Sequence, residues 1–144
     1  MENEGSVTVR PPRGLETILL VEDAEALRLL VREMLEGAGY RVMDAEGPEK
    51  ALALVESTSG AIDLVLTDMV MPRMSGQELA RHIATLKPGI RVVFMSGSLE
   101  QVMGNQGNLE PGPLFLQKPF TMDALMRTIR RALDSDPLAS RSGA

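Results

Sequence analysis

Short apolar runs alternate with amphipathic segments along most of the chain. Five runs, of which the second is the weakest, are rich in Val, Ile and Leu and lack regular polar alternation; they lie at 17–21, 40–43, 62–66, 91–95 and 114–116. Strands of a parallel sheet have this composition, because helices cover both of their faces. The pattern therefore predicts five strands in a mostly parallel sheet.

Between these runs, apolar residues recur at the three- and four-residue spacing of a helix. The spacing is found in 24–35, 48–55, 79–86 and 125–133. Each segment predicts a helix with one apolar face, which includes Leu30 in the first and Leu86 in the third. Several Gly and Pro residues in 97–113 predict a short or frayed helix there, in a mobile segment.

The alternation of strands and helices predicts right-handed crossovers in an α/β fold. We expect a five-stranded parallel sheet in a doubly wound, flavodoxin-like (βα)5 three-layer sandwich. A length of 144 residues suits one such domain. We place the domain at 17–134, after a leader or linker at 1–16 and before a flexible tail at 135–144.

The charge balance is acidic, with 15 Lys plus Arg against 20 Asp plus Glu and a net charge of −5. This argues against nucleic acid as a direct partner, because binding to a phosphate backbone needs clustered cations.

One His and no Cys exclude a disulfide framework and leave too few ligands for a Cys/His zinc site. No run has the length of a signal peptide core or a membrane span, so we expect a cytoplasmic protein that does not contact membranes by itself. On the last helix, Arg127, Arg130 and Arg131 predict a basic face exposed to solvent or to a partner.

Polar residues with matching chemistry follow the predicted strands. Glu22 and Asp23 follow the first strand, while Asp68, Ser96 and Lys118 stand at the ends of the third, fourth and fifth. The carboxyl ends of parallel strands share one edge of the sheet, so these side chains should meet there. Crowded carboxylates need a cation, and Mg²⁺ suits oxygen ligands. A hydroxyl and an amine beside such an ion suit phosphoryl transfer to an aspartate, although this reasoning leaves open whether Asp23 or Asp68 is the acceptor.

Four motifs make the chain similar to a known family. ILLVEDAEALR, DLVLTDMVMPRMSGQELA, VVFMSG and FLQKPF stand in the order and spacing of the receiver domain of two-component response regulators, across about 17–134. The chain most resembles the terminal receiver domains of hybrid sensor histidine kinases. Each motif alone is weak evidence, but the four together are highly specific.

The resemblance implies a role for each residue that matches a motif. Asp68 corresponds to the phosphoacceptor, Ser96 to the hydroxyl residue that contacts the phosphoryl group, and Lys118 to the amine that pairs with both. Ser96 and Phe115 correspond to the residues that switch conformation. The bond before Pro119 corresponds to a peptide that is usually cis in this family.

The resemblance also implies a metal site and a set of partners. Glu22, Asp23 and Asp68, with the backbone carbonyl of Val70, correspond to the ligands of Mg²⁺, and Asp23 to the more direct ligand of the acidic pair. The phosphoryl donor would be a histidine kinase or a histidine phosphotransfer domain, and any homodimer would be weak. The domain would act as a switch in a phosphorelay, catalysing its own phosphorylation and a slow hydrolysis, rather than as an enzyme.

Other functions remain open at this point. One is a receiver-like interaction module that is not phosphorylated. Another is a phosphatase with an Asp nucleophile, although such enzymes usually carry a second Asp at the position of Val70. A flavodoxin-like carrier or dinucleotide site would need a Gly-rich turn where this chain has EDAEA. No output domain fits after Leu133, so the chain would be either a stand-alone regulator or a fragment of a hybrid kinase.

Overall fold

Strands and helices alternate through residues 16–97 and 114–135, the part of the chain that the computed structural model describes. In chain order the elements are β1 Thr17–Val21, α1 Glu25–Gly37, β2 Arg41–Ala45, α2 Pro48–Ser57, β3 Leu64–Asp68, α3 Gly76–Leu86, β4 Arg91–Ser96, β5 Leu114–Gln117 and α4 Met122–Asp134. The helix predicted within 97–113, and the mobility predicted for it, concern residues that lie outside this part except for Gly97.

All five strands are parallel and form one sheet in the order β2-β1-β3-β4-β5. This arrangement confirms the predicted flavodoxin-like α/β fold class. The chain runs outward from β1 to β2 and then returns to β3 on the other side of β1, so the direction of winding reverses between β1 and β3. The crevice at the carboxyl ends of these two strands is where doubly wound sheets bind ligands.

Hydrophobic cores cover both faces of the sheet. Val31 of α1 and Ile129 of α4 pack on one face against Ile18 and Leu20, together with other buried residues of the strands. On the opposite face, α2 and α3 pack against alternate strand residues such as Leu19. Successive strand residues point to opposite sides. The strands therefore carry apolar residues on both sides, as the sequence indicates.

Some positions differ from the sequence predictions. The third strand lies at 64–68 rather than 62–66, which makes Asp68 its last residue, and Ile62 packs into the core from the preceding loop. Leu30 and Leu86, predicted on apolar faces, are 49% and 45% exposed. Leu86 is the last residue of α3, and α1 contacts the sheet through a narrower face than the apolar spacing indicates.

Arg130 also differs from its prediction as part of an exposed basic face. Its side chain is only 16% exposed because it forms ion pairs with Glu16 and Asp134.

Candidate functional site at the carboxyl edge of the sheet

Three carboxylates meet where β1 and β3 end. Glu22 follows β1 directly, Asp23 is the next residue, and Asp68 ends β3. One oxygen from each of the three lies within 4.8 Å of the other two. Glu22 and Asp68 are buried, with 1% and 8% of their surface exposed, whereas Asp23 is exposed. Negative charges this close repel one another, so the cluster needs positive charge to be stable.

Lys118 supplies a positive charge to two of the carboxylates. Its Nζ donates hydrogen bonds to Glu22 Oε1 at 2.8 Å and to Asp68 Oδ2 at 3.3 Å. The residue follows β5, and its backbone N–H donates to the Ser96 carbonyl at 2.6 Å, which ties the loop to the end of β4. The peptide bond between Lys118 and Pro119 is cis. The strand ends thus bring together residues that are 96 positions apart in the sequence.

The charges at this edge alter one another's protonation. Burial raises the pKa of Glu22 above its usual value, although hydrogen bonds from Lys118 and from the Ala24 backbone work in the opposite direction. Burial also opposes the charge on Lys118, but its hydrogen bond to Glu22 and the charge of Asp68 outweigh that effect, and the pKa of Lys118 is raised. Lys118 is therefore a fully charged amine at neutral pH.

Ser96 is the last residue of β4 and is completely buried. In the parallel register Ser96 stands opposite Gln117, and Asp68 stands opposite Met95. The structure thus places Ser96 at the same edge as the acidic cluster, one strand away from Asp68. This agrees with the convergence that the sequence predicts for the strand ends.

Phe115 lies in β5 and is partly buried. Its ring stacks on that of Phe94 in β4, with ring centroids 5.5 Å apart and an angle of 27° between the planes. The pair belongs to a small hydrophobic cluster that also contains Met69, the residue after Asp68, and Ala80 of α3. Packing therefore connects Phe115 to the backbone beside the acidic cluster.

The loop after β3 folds back on Asp68. The Val70 backbone N–H donates a long hydrogen bond, 3.4 Å, to Asp68 Oδ1, and the Val70 side chain is largely exposed. Gly76, the first residue of α3, donates from its backbone N–H to the Met69 carbonyl at 2.9 Å. A Cβ atom at Gly76 would lie 2.2 Å from the Asp68 carbonyl oxygen. Gly76 is not among the site residues that the sequence predicts; its position after Ser75, an N-cap residue type, is the signal that the sequence contains.

Comparisons with known proteins identify the family. Residues 18–130 match the family model of the response regulator receiver domain. The chain is 35% identical over 121 residues to the sensor kinase CckA of Brucella abortus (strain 2308), covering 84% of this chain and 13% of the kinase. It is 30% identical over 119 residues to the response regulator receiver protein CpdR of the same strain, covering 83% of this chain and 98% of CpdR. The structure of the receiver domain from the hybrid histidine kinase CckA matches with a TM-score of 0.70 and 30% identity, covering 82% of this chain and 99% of that one.

The chain belongs to the response regulator receiver domain family of two-component systems. Its relatives include the receiver domain of a hybrid histidine kinase, so the resemblance stated from the motifs is confirmed. The chain spans a small part of some relatives, 13% of the sensor kinase and 45% of the transcriptional regulatory protein YrkP of Bacillus subtilis (strain 168). Among residues 16–97 and 114–135, no helix is both long enough and apolar enough to cross a membrane.

Proposed function

We propose that Asp68 accepts a phosphoryl group from a phosphohistidine of a histidine kinase or a histidine phosphotransfer domain. A carboxylate oxygen of Asp68 forms the new bond to phosphorus as the phosphorus–nitrogen bond of the donor breaks. The electron pair of that bond leaves with the imidazole, which takes up a proton from solvent. The observation that carries the proposal is the position of Asp68, at the winding reversal of the sheet and beside the Lys118 amine.

The charges around Asp68 suit this reaction. The Asp68 side chain is 11% exposed, so a donor can approach it, and Lys118 Nζ lies 3.3 Å from Oδ2. Phosphoryl transfer adds negative charge at the edge of the sheet, and a fixed amine stabilises that charge better than water does. The Ser96 hydroxyl, at the end of the neighbouring strand, would donate to an oxygen of the bound phosphoryl group.

The acidic cluster fits Mg²⁺. Its donors are carboxylate oxygens within 4.8 Å of one another, which is the chemistry that a hard divalent ion selects. Both oxygens of Glu22 already accept hydrogen bonds, from Lys118 and from the Ala24 N–H, while Asp23 is exposed. We therefore assign the direct contact to Asp23 and Asp68, with Glu22 supporting them and the Val70 carbonyl as a further ligand. When bound, Mg²⁺ supplies charge neutralisation for the phosphoryl oxygens.

Phosphorylation would be transmitted through the side chains at the strand ends. As Lys118 turns from Asp68 to the phosphoryl oxygens and Ser96 approaches them, the packing of Phe115 on Phe94 would change. The domain would act as a switch that also hydrolyses its own aspartyl phosphate slowly, not as an enzyme that turns over a metabolite. We propose that residues 17–134 form this switch in the cytoplasm, either alone or attached to a kinase.

Intact mass spectrometry tests the proposal. Incubation with Mg²⁺ and phosphoramidate should add one phosphate to the wild-type protein and none to Asp68→Asn. Asp63→Asn is the control, because Asp63 precedes the same strand at its opposite end, where it accepts a hydrogen bond from the Thr17 N–H; it should be phosphorylated like the wild type. An unmodified wild-type protein, or equal modification of Asp68→Asn, would contradict the proposal.

A further inference from the structure

Arg28 links α1 to the loop that carries the acidic pair. It stands in the first turn of the helix, and its Nη1 donates a hydrogen bond of 2.9 Å to the Glu22 carbonyl. Its Nε donates to Asp44 Oδ2 in β2 at 3.0 Å. The side chains of Arg28 and Asp44 are only 14% and 18% exposed, so water competes little for this ion pair. One guanidinium thus joins a helix, a strand and the loop between them.

These bonds fix the peptide between Glu22 and Asp23. The Glu22 carbonyl and the Asp23 N–H belong to one planar unit, so a donor on the carbonyl sets the orientation of that whole unit. The preceding peptide is fixed as well, because the Glu22 N–H donates to the Ala45 carbonyl at 3.1 Å. The backbone from which the Asp23 side chain extends is therefore held from β2 and from Arg28.

We propose that Arg28 is a positioning residue for the divalent metal. It holds the Glu22–Asp23 peptide so that the exposed Asp23 carboxylate stays within reach of the other two carboxylates. The inference rests on the proposed function, since it assumes that the acidic cluster binds Mg²⁺. Supports of this kind commonly change metal affinity by about 10- to 100-fold when they are removed.

The positive charge of Arg28, taken alone, would affect Mg²⁺ binding in the opposite direction. A guanidinium near the site repels a divalent cation, so the loss of its charge alone would strengthen Mg²⁺ binding. Loss of the fixed peptide would weaken it. The direction of the change therefore separates a positioning role from an electrostatic one.

Arg32 is a suitable control for charge. It lies one turn further along α1 and forms ion pairs with Asp44 and Glu36. In the described part of the chain no hydrogen bond from Arg32 reaches the loop between β1 and α1. Arg32→Met removes the same charge as Arg28→Met and loosens the same Asp44 but leaves the Glu22 carbonyl bound.

The experiment is a titration of the unphosphorylated protein with MgCl₂, followed by the shifts of backbone amide signals in ¹H–¹⁵N spectra. We expect the Kd for Mg²⁺ to rise by about 10-fold in Arg28→Met and to stay unchanged or fall in Arg32→Met. Arg28→Lys retains the charge but not the forked donors that span both acceptors, and should also bind more weakly than the wild type. Thermal unfolding verifies that each variant is folded.

Binding as tight as the wild type in a folded Arg28→Met overturns the inference, while the proposed function stands. If Arg28→Met does not fold, Arg28→Lys decides, and an unchanged Kd in that variant overturns the inference equally. If the wild type itself shows no Mg²⁺-dependent shifts, the proposed metal site fails, and the inference fails with it. Weakening in Arg28→Met that Arg32→Met reproduces assigns the effect to Asp44 and also overturns the role of Arg28.

Discussion

Glu22 combines almost complete burial with a negative charge. Only 1% of its surface is exposed, and its oxygens accept hydrogen bonds from Lys118 at 2.8 Å and from the Ala24 N–H at 3.0 Å. Burial of a charge costs free energy unless partners compensate for it. The raised pKa of Glu22 indicates that these partners do not fully compensate for its burial.

This raised pKa predicts how stability depends on pH. The folded chain keeps a proton on Glu22 at pH values where the unfolded chain, with the usual pKa of 4.5, has lost it. The folded state then binds more protons, so the contribution of this group to stability falls as the pH rises from about 4.5 through the raised pKa. Glu22→Gln replaces the carboxyl group with an amide that does not ionise, so this pH-dependent contribution is absent from the variant. In the presence of EDTA, urea unfolding should show that the variant gains stability relative to the wild type as the pH rises.

Glu49→Gln is the control for this prediction. A hydrogen bond from Arg73 lowers the pKa of the exposed Glu49, so its contribution is present above the usual pKa and is lost as the pH falls. The two substitutions should therefore change the pH dependence in opposite directions. The same direction for both would show that Glu22 is not the group responsible.

The sequence predicts which residues meet at the site but not how they are held. Glu22, Asp68 and Lys118 could be placed together because parallel strands end at one edge. The contact of Arg28 with the Glu22 carbonyl could not be predicted. It joins a helix to a loop, and neither helical spacing nor strand alternation indicates which side chains reach a neighbouring element. The same applies to Asp44, which anchors Arg28 from β2.

Helix α3 begins closely packed against the end of β3. Ser75 and Glu78 form a capping box at its N-terminus, with hydrogen bonds of 3.1 and 3.2 Å. Gly76 allows the helix to approach because it has no side chain, and a Cβ there would lie 2.2 Å from the Asp68 carbonyl oxygen. That oxygen is a backbone atom and cannot rotate away. The first turn of α3 thus limits where Asp68 can lie.

Substitution of Gly76 should therefore disturb both stability and chemistry. We expect Gly76→Ala to lower the free energy of unfolding by about 1–3 kcal/mol, as overpacking does, and to slow phosphorylation of Asp68 by phosphoramidate. Urea unfolding and the rate of mass increase measure the two effects. The control is Gly37→Ala at the end of α1, where a Cβ meets nothing within 4 Å and a small gain in stability is expected. Equal behaviour of the two variants would contradict the packing interpretation.

At the level of elements, helical spacing and apolar runs predict the order and type of every described strand and helix, but not their ends. The third strand shifts by two residues because its register depends on neighbours, with Leu64 opposite Ile18 and Arg91. Its local sequence, in which Asp63 is the only polar residue between Ile62 and Leu66, does not contain that information.

Arg130 joins distant parts of the molecule. From α4 it contacts Glu16, which precedes β1, at 2.8 Å, and the Tyr40 hydroxyl, which precedes β2, at 3.3 Å. Arg91 of β4 makes a further connection, because its guanidinium donates to the Ser135 carbonyl at 2.9 Å. The C-terminal helix is thus fastened to the amino-terminal side of the sheet, opposite the acidic site.

Loss of Arg130 should weaken the whole fold without affecting the site. We expect Arg130→Met to lower the free energy of unfolding by about 1–2 kcal/mol, because its ion pair with Glu16 is largely buried. Phosphorylation of Asp68 should remain. Arg127→Met is the control. Arg127 and Asp123 form an exposed ion pair, in which 70% and 78% of the respective side chains are accessible to solvent. Such pairs contribute about 0.5 kcal/mol or less to stability. Urea unfolding of both variants measures the difference, and equal losses would contradict this assignment.

The distance along the chain between Glu22 and Lys118 also has a consequence for protein synthesis. These residues are 96 positions apart, and β5, which leads to Lys118, is an edge strand and the last strand in the described part of the chain. A growing chain on the ribosome therefore exposes all three carboxylates well before the amine that pairs with two of them has been made. Whatever part of the sheet has formed by then holds an acidic site without its lysine, so cations from solution or protonation of a carboxylate must relieve the repulsion at that stage.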